Sequence, residues 1–366
     1  MIDISHGPHG ETVKVNAFWL RDHCKCRKCY NPKISRRIFS FLELPKDMKV
    51  KDLQYSPEGE KVKVTWSDDH ISKYDIEFIL SSQFQNFKMK HSVDTSPIFW
   101  NVASILQNRS CLNVKLGDLC TSDTVAKDVV TSLIRYGLAF IQEVPPNLTS
   151  TEMAIRRLFP LMKTFQGEMF TFPDVFLQDE VTKVKAFVEP HTDGSYYSDP
   201  MGLQAIHCIE QSGERGDIFF TDGFHIAREL RQRNPKAFDI LSRVHVPTQL
   251  VVKDEHHSFS APTIRVDPIT KKINEIRLNM YDRSLFNTLP QCEMQDFYES
   301  MRELLTMANH SENRWQLPLE PGTMVIFDNW RLLHGRCAYS GNRTLARGYV
   351  QRTDFLSKAR IMNILE

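Results

Sequence analysis

The segment His191-Thr192-Asp193 is answered far downstream by His334, set in Phe327-Asp328-Asn329-Trp330-Arg331-Leu332-Leu333-His334-Gly335-Arg336. A His-x-Asp pair followed by one distant His is the linear form of the 2-His-1-carboxylate facial triad. That triad fills one face of a six-coordinate Fe(II) and leaves the other open for a co-substrate and O2. On a β-strand residues i and i+2 share a face, so the spacing predicts that His191 and Asp193 reach one ion while Thr192 turns away. His334 can join them only if the intervening chain folds a sheet back over that strand. Chance is the competing explanation, since His-x-Asp alone is common, and the flanking residues must decide.

Those flanks are specific. After Asp193 comes Gly194-Ser195-Tyr196-Tyr197-Ser198-Asp199-Pro200, then a strand-like run Gly202–Ile209. Nine residues past His334, beyond a turn at Ser340-Gly341-Asn342, Arg343 opens the run Arg343-Thr344-Leu345-Ala346-Arg347-Gly348-Tyr349-Val350. A guanidinium holds a carboxylate bidentately and keeps its charge, so Arg343 suits the far carboxylate of a dicarboxylate co-substrate. His191, Asp193, His334 and Arg343 together read as a 2-oxoglutarate-dependent oxygenase site. Arg347, on the same strand face, is the second choice for the co-substrate, and a solvated surface arginine is the alternative for either.

Length and composition set the frame. At 366 residues the chain exceeds one typical domain. A net charge of +1 and a pI near 7.6 give no electrostatic case for nucleic acid or an anionic membrane. No apolar run reaches the roughly 18 residues of a transmembrane helix. The sequence from Met1 has neither a signal-peptide core nor an Arg-rich transit pattern, so an intracellular, cytoplasmic setting is expected, with the mitochondrial matrix as alternative if a transit peptide is missing. The eight cysteines cluster unevenly, which argues against a secreted disulfide scaffold.

Residues 1–90 read as a small β domain with strands at Thr12–Leu20, Val50–Tyr55, Lys61–Trp66 and Ser72–Ile76, and Ser81–Ser96 reads as a linker. Residues 97–366 read as the oxygenase domain, mainly β with flanking helices. Helices are expected at Thr124–Tyr136, from Thr149, at Phe224–Ser242 and at Cys292–His310. Strands are expected at Gly137–Ile141, Val181–Val188, Gly202–Ile209, Asp217–Thr221, Thr263–Val266, Ile276–Leu278, Thr323–Phe327 and Arg343–Val350. Many short strands carrying a metal triad indicate a double-stranded β-helix, a jelly-roll closure with a cavity at one end. In the N-terminal part, Cys24, Cys26, Cys29 and the distant His70 form a Cys3His set suited to structural zinc with no open position. Three reduced cysteines in a turn are the alternative. His23 is expected to face away.

Trp19-Leu20-Arg21-Asp22-His23-Cys24, Trp66-Ser67-Asp68-Asp69-His70, Asp222-Gly223-Phe224 and Phe327-Asp328-Asn329-Trp330-Arg331 resemble the carnitine-biosynthesis oxygenases, the γ-butyrobetaine and trimethyllysine dioxygenases, over residues 13–362. Tyr136-Gly137-Leu138-Ala139-Phe140, Asn279-Met280-Tyr281-Asp282-Arg283 and the short His334-to-Arg343 loop bring the chain closer to the trimethyllysine branch. The resemblance implies Fe(II), 2-oxoglutarate and ascorbate, an N-terminal zinc site, a homodimer, and a small amine-acid substrate, trimethyllysine first and γ-butyrobetaine second. It also implies a substrate pocket at Gln166, Phe170, Tyr349 and Asn279. Gln166 stands where the family has Tyr, Phe170 where it has Trp, and the Val181–Lys183 region lacks a third aromatic. Each missing ring is expected to weaken cation binding by roughly 0.5–2 kcal/mol. Phe224, Trp315 and Trp330 are expected in the core, and Glu168 on the surface. An inactive zinc-stabilised scaffold is the reading from another class, and the intact triad argues against it.

Overall fold

The computed structural model describes residues 1–7, 9–92, 97–172, 186–212, 216–252 and 254–365. The chain divides into two compact units, Met1–Val93 and Asp94–Glu366.

In the first unit the strands Ile2–His6 and Glu11–Val15 pair antiparallel, and Val50–Tyr55, Lys61–Trp66 and Ile71–Asp75 form a three-stranded sheet. Alternation makes the middle strand: Val62, Val64 and Trp66 are fully buried while Lys61 points outward. The strand expected over Thr12–Leu20 ends at Val15 instead. Asn16 accepts a hydrogen bond from Trp19 N at 3.0 Å and starts the helix Ala17–Asp22. The expected linker also needs correction, because Phe84–Ser92 is helical; residues 93–96 lie outside the described residues.

The second unit is built on two sheets. The larger orders its strands Met169–Phe172, Arg343–Gln351, Met201–Gln211, Met324–Asp328, Leu138–Gln142 and Asn113–Lys115. The smaller orders Val188–His191, Leu332–Arg336, Ile218–Asp222 and Trp315–Leu317. Pairing is antiparallel except between Asn113–Lys115 and Leu138–Gln142. Strand Met201–Gln211 shows how the layers are specified. Leu203 and Ala205 pack outward against the helices Asp123–Tyr136, Leu148–Leu158 and Arg352–Ile361, whereas Ile206 and Cys208 pack inward with Ile218 and Phe220 of the smaller sheet. A strand buried on both faces reads as a continuous apolar run, which is why it was legible.

The single helix expected over Phe224–Ser242 is two, Gly223–Arg233 and Pro235–Arg243. Asn234 leaves helical geometry and its side chain accepts from Ala237 N at 3.1 Å, and Pro235 suits the first helical position, where no N–H is needed. The strand expected at Ile276–Leu278 runs earlier, Ile273–Ile276. A long hairpin, His245–Val252 with Glu255–Pro262, has no expected counterpart because its polar residues lack clean alternation. No helix among the described residues is long and apolar enough to cross a membrane.

Candidate active site

Strand Val188–His191 pairs with Leu332–Arg336 so that His191 stands opposite His334, with ring centroids 4.3 Å apart. Gly335 allows the approach, since a Cβ there would lie 2.4 Å from Val188 O. The first strand ends at His191, so Asp193 is not held by strand alternation as its spacing suggested. It sits in the following loop and is braced there by Asn329. Asp193 N donates to Asn329 Oδ1 at 2.8 Å, while Asn329 Nδ2 donates to Asp193 O and to Met201 O, each at 3.0 Å.

Hydrogen bonds orient the donor atoms. His191 Nδ1 donates to Glu189 O at 2.8 Å, which leaves the Nε2 lone pair free. The Tyr349 hydroxyl donates to Asp193 Oδ2 at 2.9 Å. Asp193 Oδ1 then faces His191 Nε2 at 3.3 Å and His334 Nε2 at 3.9 Å. The three donors lie within 4.8 Å of one another. Cis donors on an octahedral ion with bonds near 2.1 Å stand about 3 Å apart, so small closing movements suffice. Burial, reinforced by His191, keeps His334 neutral well below its ordinary pKa. Burial opposes ionisation of Asp193, but its contact with His191, together with His334 and Arg347, outweighs it and holds the carboxyl far below its usual range. Two imidazole nitrogens and one carboxylate oxygen brought this close are a donor set suited to a divalent cation.

A cavity of about 150 Å³ runs from His191 and His334 to Arg336, Arg343 and Arg347. Arg343 is only 4% exposed, and burial lowers its pKa. None of its three guanidinium nitrogens has a hydrogen-bond partner among the described residues. A buried, unsatisfied guanidinium is costly, and a carboxylate entering the cavity would relieve it. Arg347 lines the same cavity, and its charge acts on Asp193 and His334. Arg336 was not singled out in the sequence, where nothing marks it apart from its nearness to His334.

Phe170 and Tyr349 are buried with ring centroids 5.8 Å apart and form a small cluster with Met201 beside the triad. Gln166 is half-buried in the turn before them. Glu168 is on the surface as expected, paired with Arg156 at 2.7 Å. Val181–Lys183 lies outside the described residues. Asn279 Nδ2 donates to Thr192 O at 3.4 Å. The adjacent aromatics given no role in the sequence are Tyr196 and Tyr197, whose centroids are 5.0 Å apart, and His257 of the unexpected hairpin lies 4.7 Å from Tyr197. Phe224 and Trp315 are in the core, whereas Trp330 is half-buried with its indole N–H on Pro200 O at 3.1 Å.

Arg331, fully buried, holds Asp222 through Nε at 3.1 Å and Nη2 at 2.7 Å, and also donates to Arg135 O at 2.9 Å. Asp222 in turn accepts from Phe224 N and Trp100 N. The clamp fixes the chain immediately before the His334 strand.

In the first unit the Sγ atoms of Cys24, Cys26 and Cys29 stand 3.4, 3.6 and 3.6 Å from His70 Nε2. Bonds of about 2.3 Å to sulfur and 2.0–2.1 Å to nitrogen put tetrahedral S···N edges at about 3.6 Å, so the donors fit zinc as they stand. His23 is turned onto Trp19, stacked at 4.3 Å. Arg21, 6% exposed, donates to Cys29 Sγ at 3.4 Å.

The family model described as taurine catabolism dioxygenase TauD, TfdA family matches residues 103–349. The gamma-butyrobetaine hydroxylase-like N-terminal model matches residues 6–79. The trimethyllysine dioxygenases of Rattus norvegicus and Homo sapiens are each 31% identical over 356 residues, covering 96% of this chain and 83% of theirs. That of Neurospora crassa is 28% identical over 398 residues, covering 97% and 82%. A solved structure from Burkholderia xenovorans, of a protein assigned by name as an alpha-ketoglutarate-dependent taurine dioxygenase, matches with TM-score 0.51 at 12% identity. It covers 70% of this chain and 92% of that one, a likeness of fold alone. A family model spanning most of the second unit, with relatives matching nearly the whole chain, establishes that this chain belongs to the TauD/TfdA dioxygenase family, in the branch of the trimethyllysine dioxygenases.

Proposed function

We propose that the chain is an Fe(II)- and 2-oxoglutarate-dependent dioxygenase that hydroxylates trimethyllysine. The observation that carries this reading is one cavity joining His191 and His334, which cluster with Asp193, to the Arg343 guanidinium, which has no hydrogen-bond partner among the described residues. His191, Asp193 and His334 would hold the iron, and Arg343 the distal carboxylate of the co-substrate, with Arg347 assisting. Bound together, iron and 2-oxoglutarate supply the oxidation of an unactivated C–H by O2, with release of succinate and CO2. The chain's part is positioning: Tyr349 sets the Asp193 carboxylate and Asn329 its backbone, Glu189 O sets the His191 tautomer, and the apolar lining at Val188, Ile206, Ile218 and Leu345 excludes water. Phe170, Tyr349, Gln166 and Asn279 would border the substrate. The two sheets are read as a double-stranded β-helix within residues 97–366, and residues 1–90 as a zinc domain held by Cys24, Cys26, Cys29 and His70. Ascorbate as reductant and assembly as a homodimer follow from the family alone. The mammalian relatives carry "mitochondrial" in their names, which favours that compartment over the cytoplasm.

Protein loaded with Fe(II), 2-oxoglutarate and ascorbate should release succinate on addition of trimethyllysine, giving a product one oxygen heavier by mass spectrometry. Preferential turnover of γ-butyrobetaine would move the reading to the second substrate, and no substrate-stimulated succinate with either would overturn it.

A further inference from the structure

The segment Asn279–Asp282 is laced to the triad loop side chain by side chain. Asn279 Nδ2 donates to Thr192 O, the Tyr281 hydroxyl accepts from Glu189 N at 3.1 Å, and Asp282 Oδ2 accepts from Ser195 Oγ at 2.9 Å. From the other side the hairpin pins the same segment, with Gln249 N donating to Asp282 O at 2.9 Å. Amide and phenol groups do this work without charge. Asp282 does it with a half-buried carboxylate whose one side-chain hydrogen bond comes from a neutral hydroxyl, and no cation of a described residue pairs with it. The charges that act on it are those of the triad residues Asp193 and His191, and burial together with the Asp193 charge pushes its carboxyl up to about 6. A carboxylate kept beside a metal site with no counter-ion is costly unless something else brings the charge.

On the reading above, the substrate carries two cations of different chemistry. The quaternary ammonium has no N–H and suits aromatic faces. The α-ammonium has three N–H donors and requires an acceptor with open lone pairs, which Asp282 offers at the edge of the triad loop. We propose that Asp282 binds the α-ammonium of the substrate and thereby selects α-amino acids over betaines that lack one. This rests on the proposed substrate class, but names the residue that would distinguish trimethyllysine from γ-butyrobetaine.

The test compares trimethyllysine with its desamino analogue, 6-(trimethylammonio)hexanoate, in wild type and Asp282→Asn. A charge-assisted hydrogen bond predicts that wild type prefers the amine by about 10- to 100-fold in kcat/KM. In Asp282→Asn the ratio should fall toward one, because KM for trimethyllysine rises while that for the analogue does not. Substrate-independent succinate formation reports that the variant's triad is intact. An unchanged ratio, or an equal loss with both compounds, overturns the role of Asp282 and leaves the substrate assignment standing. If Asp282→Asn does not fold, the wild-type comparison decides alone, and absence of any preference for the amine overturns the proposal. If wild type ignores trimethyllysine but hydroxylates another α-amino acid, the substrate assignment fails, and that acid with its desamino form decides Asp282.

Discussion

At the scale of single residues the site combines opposite demands. Asp193 must remain ionised while buried, and Arg343 must remain charged with the Tyr339 ring 5.9 Å from its guanidinium but no hydrogen-bond partner among the described residues. Asp193→Ala removes the only carboxylate of the triad and leaves two neutral imidazoles. Succinate formation should fall to background with an unchanged circular dichroism spectrum, and wild-type turnover in that variant would show the triad wrongly assigned. For Arg343 two effects should separate. Arg343→Met should raise KM for 2-oxoglutarate by at least roughly 30-fold, since losing one partner of a buried charge pair costs about 2–5 kcal/mol. The same change removes an unsatisfied guanidinium from the cavity, so the thermal midpoint of ligand-free protein should hold or rise. A large loss of stability without ligand would mean that Arg343 is structural.

At the scale of elements, the His334 strand depends on the Asp222–Arg331 clamp. Asp222→Ala takes the carboxylate from a fully buried guanidinium and leaves it only backbone carbonyls among the described residues, and the loss should be roughly 3–5 kcal/mol in denaturant unfolding. Strand Met201–Gln211 carries a second buried group, His207, on the face opposite the cavity, with Nδ1 2.7 Å from Thr151 Oγ1 of helix Leu148–Leu158. Burial lowers its pKa to about 4, against about 6.5 in an unfolded chain. The unfolded state therefore binds more protons between these values, and stability must fall as pH drops from about 6.5 to about 4. The full span is about 3 kcal/mol at roughly 1.4 kcal/mol per unit. Urea unfolding at pH 7.5 and pH 5 should show a smaller difference in His207→Gln than in wild type; equal differences would clear His207 of the effect.

At the scale of the whole molecule, each of the two units carries one proposed metal site. Purified protein should retain about one zinc per chain through desalting. Cys26→Ser should release it and lower the stability of the N-terminal unit by several kcal/mol, because structural zinc contributes folding free energy. Zinc-free protein with an unchanged thermal midpoint would exclude the site. The sequence by itself determined the residue types on which the proposed chemistry rests, namely His191, Asp193 and His334, the Cys3His set and Arg343 as the proposed carboxylate partner, and it determined strands such as Met201–Gln211 whose apolar runs admit few alternatives. It also misled where local patterns compete. Its patterns predict a strand through Asn16, a helix through Asn234-Pro235 and a strand position for Asp193, whereas the chain starts a helix after Asn16, breaks the helix at Asn234 and ends the strand at His191. Only the tertiary structure decided that Asn329 braces Asp193, that Arg331 clamps Asp222, that Arg343 is buried without a hydrogen-bond partner among the described residues, and that Asp282 reaches the triad loop. These contacts join residues 87 to 136 positions apart, or record a partner that is missing. Spacing along the chain carries no trace of either, because strand register and loop closure set them.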